Sequence, residues 1–323
     1  MKRFLITGGA GGLGVPLVKA LCEQGHRVVV FDNESRGNGD RLKGIPNCFV
    51  WNKSDVCDGS ALGTVNRCFE CGLEGFTTVI HLAAVNGTRN FYENPSRVLE
   101  VGVKGIVNVM DACVAHGVRE LFVASSSEVY QEAPVFPTPE TVPLVVPNPH
   151  NPRYSYGASK IITEMMALHY KQESFDRIVV FRPHNIYGEG FSEGHVIPDL
   201  IRKVHEGRFE LENTGERCSR AFCHVDDCVS GILSLLEKGK HREIYNIGTD
   251  RQIYIWQLAD MIHFCMTGDR EFKRFSRVNV NKSGGTASRW PDTTKLRSLG
   301  WEPKVSLEEG LRRTIAWYRE NVK

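Results

Sequence analysis

Residues 4–14 read FLITGGAGGLG, an apolar segment that passes directly into a glycine-rich turn. Gly8, Gly11 and Gly14 form the pattern TGxxGxxG. Glycines allow a tight turn and let the backbone approach a pyrophosphate, which would lie on the N-terminus of the following helix. Because a predicted strand precedes these glycines and a predicted helix follows them, the stretch predicts a dinucleotide-binding βα turn rather than an ordinary loop. The predicted contact residues are Gly8, Gly11, Gly12, Leu13 and Gly14.

Asp32 ends the second predicted strand, 18 residues after Gly14. A carboxylate at this place accepts hydrogen bonds from both ribose hydroxyls of the adenosine and repels a 2′-phosphate. Asp32 therefore predicts NAD rather than NADP, although Arg36, close in sequence, is a cation that a 2′-phosphate would attract. The alternative for Asp32 is a surface residue beside a turn.

Two further segments follow strands on the same expected edge. Asp55, in the sequence Ser-Asp-Val, is predicted either to meet the adenine amino group or to cap a helix. The sequence HLAAV, residues 81–85, places small side chains where the cofactor backbone would pass. The contact residues predicted here are Asp55, Val56, Leu82, Ala83 and Ala84.

Short apolar runs alternate with helical patterns through residues 1–182. The predicted strands are Arg3–Thr7, Arg27–Phe31, Cys48–Trp51, Thr78–Leu82, Glu120–Ser125 and Arg177–Phe181. Helices are predicted at Gly12–Gln24, Pro95–His116 and Ser155–Gln172. Strands that are apolar on both faces suit a parallel sheet covered by helices on both sides, so the fold class is α/β, a Rossmann doubly wound parallel sheet.

Residues 183–323 are predicted to form mainly a smaller C-terminal, substrate-binding lobe, with some segments returning to the first domain. A helix is expected to begin at Asp226 or Asp227. Another should open with a capping box formed by Ser306 and Glu309.

The composition excludes several classes of protein. The chain has 323 residues, of which 41% are hydrophobic and 24% charged, and a formal net charge of +2. This balance predicts neither a nucleic-acid-binding nor a membrane-binding surface. The apolar runs are too short to span a bilayer, and the start MKRFLITGG enters a strand without a signal peptide, so we expect a cytoplasmic protein.

The ten cysteines are scattered and are predicted to be reduced thiols. Cys68 and Cys71 have a metal or redox spacing, but no second Cys or His pair lies nearby. Cys218, Cys223 and Cys228 are close in sequence to His224. Because Cys223 falls in a strand-like stretch and Cys228 on the following helix, we predict no shared metal site.

The sequence YSYGASK places Tyr156 and Lys160 at i and i+4 of a helix, on one face. A phenol with a pKa of about 10 is a poor base at neutral pH, and a nearby ammonium and a nicotinamide cation would lower that pKa. Ser126, at the end of the fifth predicted strand, would share the proton of a substrate hydroxyl. These three residues suit removal of a proton from an alcohol while a hydride leaves to NAD.

With these motifs, the chain resembles an extended short-chain dehydrogenase/reductase of the NDP-sugar epimerase/dehydratase family. The resemblance extends over nearly the whole chain, and the matching motifs are TGGAGGLG, HLAA, SSSEVY, YxxxK, RPHNIYG, SRAFCHVDD, YNIG and RWPDTTKLRSLGWEP. It implies an NAD cofactor, and catalysis by Ser126, Tyr156 and Lys160, with Lys160 also binding the nicotinamide ribose. The substrate residues that it implies are Asn86, Ser127, Asn185, Val196, Arg220 and Arg289, of which Asn185, Arg220 and Arg289 hold the nucleotide diphosphate.

Two residues depart from the family pattern. Gln131 stands where the family usually has Gly, and Glu189 where it usually has Pro. The resemblance also implies a homodimer, because the predicted helices Pro95–His116 and Ser155–Gln172 are apolar on more faces than one sheet can bury.

Glu128 decides which reaction is expected. The triplet Ser126-Ser127-Glu128 is similar to the Thr-Ser-Glu of GDP-mannose 4,6-dehydratases and UDP-glucuronate decarboxylases, whereas simple 4-epimerases usually have a small or neutral residue at this position. A carboxylate could remove the C5 proton once C4 is a ketone, so a 4,6-dehydratase-like reaction is predicted first. An NDP-sugar 4-epimerase is the next alternative, followed by a decarboxylase. The alternative for Glu128 is a structural role, in which it orients a loop or the Pro-rich segment Pro134–Pro152.

Two other classes remain as alternatives. A non-catalytic NAD-binding sensor would often have lost the Tyr/Lys pair, which this chain keeps. An ordinary dehydrogenase would release NADH in bulk.

Overall fold

The computed structural model describes residues 1–51, 54–58, 75–191, 194–212, 218–269, 275–278 and 286–321. The strands are β1 (Arg3–Thr7), β2 (Arg27–Phe31), β3 (Cys48–Trp51), β4 (Thr78–His81), β5 (Glu120–Ala124), β6 (Arg177–Pro183), β7 (Ile186–Tyr187), β8 (Glu210–Glu212), β9 (Ser219–Ala221), β10 (Cys223–His224), β11 (Glu243–Ile247), β12 (Gln252–Tyr254), β13 (Ser276–Val278) and β14 (Ser288–Arg289). The α-helices are α1 (Gly14–Glu23), α2 (Thr88–Glu93), α3 (Pro95–Ala115), α4 (Ser155–His169), α5 (Val196–His205), α6 (Val225–Lys238), α7 (Ile255–Thr267), α8 (Thr294–Arg297) and α9 (Leu307–Asn321). Short 3₁₀ turns lie at Gly39–Leu42, Ser127–Val129, Pro152–Tyr154 and Gln172–Ser174.

Seven parallel strands form the central sheet in the order β11-β6-β5-β4-β1-β2-β3. The chain builds outward from β1 to β3 and then crosses back to β4, so the strand order reverses between β1 and β4. In register, Thr7 at the end of β1 pairs with Phe31 on one side and His81 on the other. The carboxyl ends of these strands therefore open at one edge, where ligands bind in sheets of this kind. The predicted doubly wound parallel sheet is confirmed.

Helices cover both faces of this sheet, which explains why its strands are apolar on both sides. Leu17 of α1 and Ile232 of α6 belong to the core on one face. Ile106 of α3 and Ala167 of α4 belong to the core on the other. Among the described helices, none combines the length and the apolar composition that a membrane crossing requires.

The C-terminal part has a core of its own, to which α5, α7 and α9 contribute Leu200, Leu258 and Leu311. A small sheet in the order β12-β9-β14 lies in the same part of the chain. However, β11 lies beside β6 in the central sheet. A segment from the C-terminal part of the chain therefore belongs to the sheet that the N-terminal part forms. The boundary at residue 182 stays a prediction.

Several predicted boundaries shift for local reasons. Helix α1 begins at Gly14 rather than Gly12, because the preceding glycines form the turn. Helix α4 ends at His169, and Lys171 then takes a left-handed backbone with φ of 50°. Helix α6 begins at Val225 and is capped by His224, whose Nδ1 accepts from the Asp226 N–H at 3.2 Å. The expected start at Asp226 or Asp227 was therefore one or two residues late.

Candidate active site

A cleft with a cavity of about 400 Å³ opens at the carboxyl ends of the central strands. It is lined by every residue that the sequence predicted for the site. These residues are Gly8, Gly11, Gly12, Leu13, Gly14, Asp32, Asp55, Val56, Leu82, Ala83, Ala84, Asn86, Ser126, Ser127, Glu128, Tyr156, Lys160, Asn185, Val196, Arg220 and Arg289. Their individual roles stay predictions, but the fold brings them to one place.

The glycine turn accepts side chains at neither of its ends. Gly8 has φ of +73°, and a Cβ there would lie 2.7 Å from the Ala83 nitrogen. A Cβ on Gly14 would lie 2.5 Å from the Gly8 carbonyl oxygen. Helix α1 starts at Gly14, and its N-cap residue, Leu13, makes no side-chain capping hydrogen bond. The turn therefore presents backbone and a helix N-terminus to the cleft, which fits a dinucleotide pyrophosphate.

Asp32 is fixed by the turn that it accompanies. One carboxylate oxygen accepts from the Ala10 N–H at 3.0 Å and the other from the Glu34 N–H at 2.7 Å. Burial raises the pKa of Asp32, while these two hydrogen bonds act in the opposite direction. The carboxylate is thus held at the end of β2 with its free lone pairs available to ribose hydroxyls.

Asp55 is more constrained than the sequence indicated. Its carboxylate accepts from Asn33 Nδ2 and from the Cys57 N–H, both at 2.9 Å, and pairs with Arg97. Burial alone would raise the pKa of Asp55, but the Cys57, Asn33 and Arg97 contacts outweigh it and lower that pKa. An adenine amino group would have to share this carboxylate with Arg97, a cleft residue that sequence reasoning missed.

Tyr156 and Lys160 lie in the first two turns of α4 and are buried. Lys160 donates to the Ala124 carbonyl at 2.7 Å, and its Nζ lies 5.9 Å from the Tyr156 ring centroid. Burial lowers the pKa of Lys160 to about 8, although the nearby Glu164 opposes the shift. Burial also raises the pKa of Tyr156, and it outweighs a hydrogen bond with Ser126 and the charge of Arg36, which lower it. The polypeptide alone therefore keeps the phenol protonated.

Phe91 is a second residue that the sequence did not single out. Its ring, on α2, is 2% exposed and stacks on the Tyr156 ring, with centroids 4.9 Å apart and planes 10° apart. The guanidinium of Arg153 lies over the Phe91 ring, 5.1 Å from its centroid. In the sequence, Phe91 is an isolated aromatic residue between a predicted strand and the predicted helix Pro95–His116. Such a residue gives no signal beyond ordinary core packing.

Glu128 is held between two arginines. Arg153 donates to both carboxylate oxygens, at 3.0 and 3.1 Å, and Arg289 Nη1 donates to Oε1 at 2.7 Å. Burial alone would raise the pKa of Glu128, but the charges of Arg289 and Arg153 outweigh it and lower that pKa to about 2. Glu128 is thus an anion across the physiological range, and a weaker base than an ordinary carboxylate.

The Pro-rich segment helps to place Arg289. Phe136 stacks on Trp290 with ring centroids 4.6 Å apart, and the Thr138 N–H donates to the Trp290 carbonyl at 3.0 Å. The Asp292 N–H donates back to the Thr138 carbonyl at 2.9 Å. The segment is therefore bonded to the chain on the C-terminal side of Arg289.

Asn185 and Arg220 lie on the lobe side of the cleft. Asn185 Nδ2 donates to the Ala221 carbonyl at 2.9 Å. Arg220 donates to the carbonyls of Ser219 and Thr286, both at 2.7 Å. Burial, and then the charge of Arg289, lower the pKa of Arg220 to about 10. Arg220 can therefore meet an anionic part of the substrate, whereas Arg289 already donates to Glu128.

The two departures from the family pattern have structural explanations. Gln131 has φ of 48°, a left-handed conformation that favours glycine, and its amide donates to the Glu128 carbonyl at 2.6 Å. Glu189 accepts from Arg313 Nε at 3.1 Å and lies 3.2 Å from His224 Nε2. The close approach of His224 is the main cause that lowers the pKa of Glu189 to about 2. Glu189 therefore joins β10 and α9 within the lobe.

Cys223 and Cys228 are buried, and burial raises the pKa of each thiol. Within the described ranges, no group of three or more His, Cys, Asp or Glu side chains is placed to hold a metal ion. Cys68 and Cys71 lie outside the described residues.

Comparisons with known proteins give consistent matches. The NAD dependent epimerase/dehydratase family matches residues 4–248. The chain is 28% identical to the UDP-N-acetyl-alpha-D-glucosaminuronate decarboxylase of Bacillus cytotoxicus, over 99% of this chain and 98% of the relative. It is also similar to the structure of a Thermotoga maritima UDP-glucose 4-epimerase with UDP-glucose, with a TM-score of 0.85 and 29% identity, covering 99% of this chain and 100% of the other. A Streptomyces venezuelae dTDP-glucose 4,6-dehydratase with NAD bound gives a TM-score of 0.84 and 28% identity, covering 99% and 97%.

Proposed function

The chain belongs to the NAD dependent epimerase/dehydratase family, and we propose that it decarboxylates a nucleotide-diphosphate hexuronic acid after transient oxidation at C4. It is an NAD-dependent enzyme of nucleotide-diphosphate sugars. The relatives cover three reactions, namely decarboxylation, dehydration and epimerisation. The family alone therefore leaves the reaction after C4 oxidation open, and the geometry around Glu128 is what favours one of the three.

Oxidation at C4 is assigned to Tyr156, Ser126 and Lys160. The Tyr156 phenolate would take the proton of the C4 hydroxyl, and Ser126, which is close enough to the phenol to lower its pKa, would share that proton. Lys160 supplies a positive charge beside the phenol. When bound, NAD accepts a hydride from the sugar and later returns it. The turn at Gly8–Gly14 and the Asp32 carboxylate would hold the dinucleotide with its reactive ring at the mouth of β5.

The two arginines around Glu128 carry the proposal. Arg153 and Arg289 bring two positive charges to one carboxylate, and their side chains are only 9% and 6% exposed. Glu128, Arg153 and Arg289 form a cluster with one more positive than negative charge, and this cluster lies beside Tyr156. A substrate carboxylate would balance this excess, whereas a neutral hexose would not. This is the single observation that favours a hexuronic acid.

The chemistry after oxidation is consistent with such a substrate. A 4-keto-hexuronic acid is a β-keto acid, so its C5–C6 bond can break with loss of carbon dioxide. The electron pair passes into the C4 ketone as an enolate, C5 then takes up a proton, and reduction at C4 completes the cycle. This route does not need Glu128 to be a base, in agreement with its pKa of about 2.

A 4,6-dehydratase-like reaction is the second candidate. In favour of it, Glu128 lies close enough to Tyr156 to raise the pKa of the phenol. A carboxylate at this place would reach a C5 proton of the same sugar. Its two arginine partners weaken it as a base, and we therefore rank dehydration below decarboxylation.

The test is mass spectrometry of a panel of NDP-hexoses and NDP-hexuronic acids incubated with the NAD-loaded protein. Loss of carbon dioxide from a hexuronic acid is the expected result. Loss of water from a hexose would indicate dehydration, and a new isomer of unchanged mass would indicate epimerisation. Bulk NADH would indicate an ordinary dehydrogenase. Any one of these last three outcomes, if it occurs without decarboxylation, would reject the proposal.

We also propose that the protein is a homodimer. Leu99 of α3 and Ile162 and Met165 of α4 are 38%, 40% and 55% exposed, on helices that already cover the sheet with other faces. Pairing of these helices with those of a second copy would bury the apolar side chains. Light scattering at micromolar concentration should give twice the chain mass, and Met165→Glu should reduce it toward one chain. A monomeric wild-type protein would rule the proposal out.

A further inference from the structure

Phe91 and Arg153 form a connection between the Glu128 carboxylate and the Tyr156 phenol. We propose that Phe91 and Arg153 are positioning residues that hold the Tyr156 ring for C4 oxidation, and that Glu128 acts on that step through them. This inference rests on the proposed role of Tyr156. It adds two positioning residues to the proposed catalytic site, and it gives Glu128 a role in orienting Tyr156 rather than in proton transfer.

The first link is the aromatic stack. The planes of Phe91 and Tyr156 are only 10° from parallel, and their centroids are 4.9 Å apart. Both rings are buried and pack with Val98, so neither can rotate without displacing the other. The stack restrains the χ1 rotation of Tyr156, and the direction of the axis from Cγ to the phenol oxygen determines whether that oxygen reaches Ser126. A phenol that is misplaced by about 1 Å can lose on the order of 10²-fold in rate.

The second link is the guanidinium above Phe91. Arg153 lies in the 3₁₀ turn Pro152–Tyr154, directly before α4, and so it is three residues from Tyr156. Its guanidinium carbon lies 5.1 Å from the Phe91 centroid, a distance at which a cation is attracted to the ring. Arg153 is therefore in contact with the ring that holds Tyr156, from a position just before the helix that carries Tyr156.

The third link is the carboxylate. Glu128 accepts two hydrogen bonds from Arg153, which fix the plane of the guanidinium above Phe91. Arg289 holds Glu128 from another direction. A loss of Glu128 would therefore free Arg153, loosen Phe91 and disturb Tyr156. A C5 base would behave differently, because its loss would leave C4 oxidation intact.

The test compares Phe91→Leu, which keeps an apolar side chain but removes the flat ring, with Phe91→Tyr, which keeps the ring. The full NAD-loaded protein is labelled with ¹³C-tyrosine, and the signal of Tyr156 is the one absent from Tyr156→Phe. In Phe91→Leu we expect the Tyr156 signal to shift and its titration midpoint to differ from that of the wild-type protein. Phe91→Tyr should retain both wild-type properties.

The kinetic arm measures the rate at which enzyme-bound NADH forms with the substrate that the panel identifies. We expect Phe91→Leu to lower that rate about 10- to 100-fold with KM nearly unchanged, and Phe91→Tyr to restore it. Glu128→Gln and Arg153→Met should also slow this first step. A Phe91→Leu protein with an unchanged Tyr156 titration, or a Glu128→Gln protein that forms NADH at the wild-type rate, would overturn the inference.

The two arms separate this inference from the proposed function. The NMR arm needs no substrate, so it decides the positioning of Tyr156 even if no panel member reacts. If no sugar reacts, the proposed function fails by itself. If Phe91→Leu does not fold, Arg153→Met gives the same two measurements with both rings in place.

Discussion

Asp32 provides the sharpest test of the cofactor end of the cleft. Both of its oxygens accept backbone N–H groups, at 3.0 Å from Ala10 and 2.7 Å from Glu34, so the carboxylate cannot turn away from an approaching ribose. The 2′-phosphate of NADP would meet it at close range. Two unit charges 4 Å apart repel by about 4 kcal/mol at an effective dielectric constant of 20. Because Asp32 is partly exposed, solvent and salt should reduce this to about 2–3 kcal/mol.

A penalty of this size corresponds to roughly 10²-fold in affinity, at about 1.4 kcal/mol for each factor of ten. Calorimetry on the isolated protein should therefore give a dissociation constant for NADP about a hundred times that for NAD. Arg36 should not offset the difference, since its guanidinium lies against Gly87, with Nη1 2.6 Å from where a Gly87 Cβ would be.

The variant Asp32→Asn removes the charge and turns an amide group toward one of the two backbone donors. It should weaken NAD binding as well, so the ratio of the two affinities is the informative quantity, and it should fall below about 10-fold when the repulsion is lost. Asp55→Asn is the matched control, because it also loses a carboxylate that lines the cleft and should leave the ratio unchanged. A wild-type protein that binds NADP as tightly as NAD would refute the reasoning.

Four further outcomes follow from the geometry. Tyr156→Phe should abolish formation of enzyme-bound NADH with any sugar, as followed by absorbance, while NAD binding is retained. Because burial lowers the pKa of Lys160 to about 8, its ammonium is lost as pH rises through that value, and kcat/KM for C4 oxidation should fall above about pH 8. Gly14→Ala would place a Cβ 2.5 Å from the Gly8 carbonyl, and an overpacking cost of about 1–3 kcal/mol should weaken NAD binding about 10- to 100-fold in calorimetry. Glu164→Gln would leave the charge of Arg182 unpaired in a pair that is 2–3% exposed, and chemical denaturation should show a loss of about 3–5 kcal/mol.

The sequence predicted the parts of the molecule that depend on local spacing. The glycines, Asp32, Tyr156 and Lys160 each occupy a fixed place relative to a strand end or a helix turn, so their neighbours in space follow from the fold class. The strands Arg3–Thr7 and Arg27–Phe31 have the predicted bounds because their apolar side chains are buried on both faces, and the edge strand Cys48–Trp51 also has the predicted bounds. Other elements ended elsewhere because tertiary contacts decide the last residue. For example, β6 continues to Pro183, which pairs with Ile247 of β11.

The residues that the sequence did not reveal are those whose role depends on partners distant in the chain. Arg153 follows a proline and looks like a loop charge, yet it meets Glu128, 25 residues earlier, and Phe91. Arg289 was predicted as a substrate residue, but its contact with the same carboxylate, across 161 residues, was not. No periodicity or spacing in one sequence connects such positions. Position 131 is the converse case, because Gln131 has the left-handed backbone that favours the glycine expected from the resemblance.

Glu128 shows how the surroundings of a residue can change the role inferred from its motif. A carboxylate after two serines, beside a phenol, is an expected base when only the sequence is considered. In the structure its oxygens receive three hydrogen bonds from two guanidinium groups, and its pKa is near 2 rather than raised toward neutrality. A general base in a buried site gains strength when its charge is poorly compensated, and here the charge is overcompensated. The same arginines that weaken Glu128 as a base leave one positive charge of the cluster unmatched. For this reason the cluster supports binding of an anionic sugar more strongly than it supports proton abstraction from a neutral one.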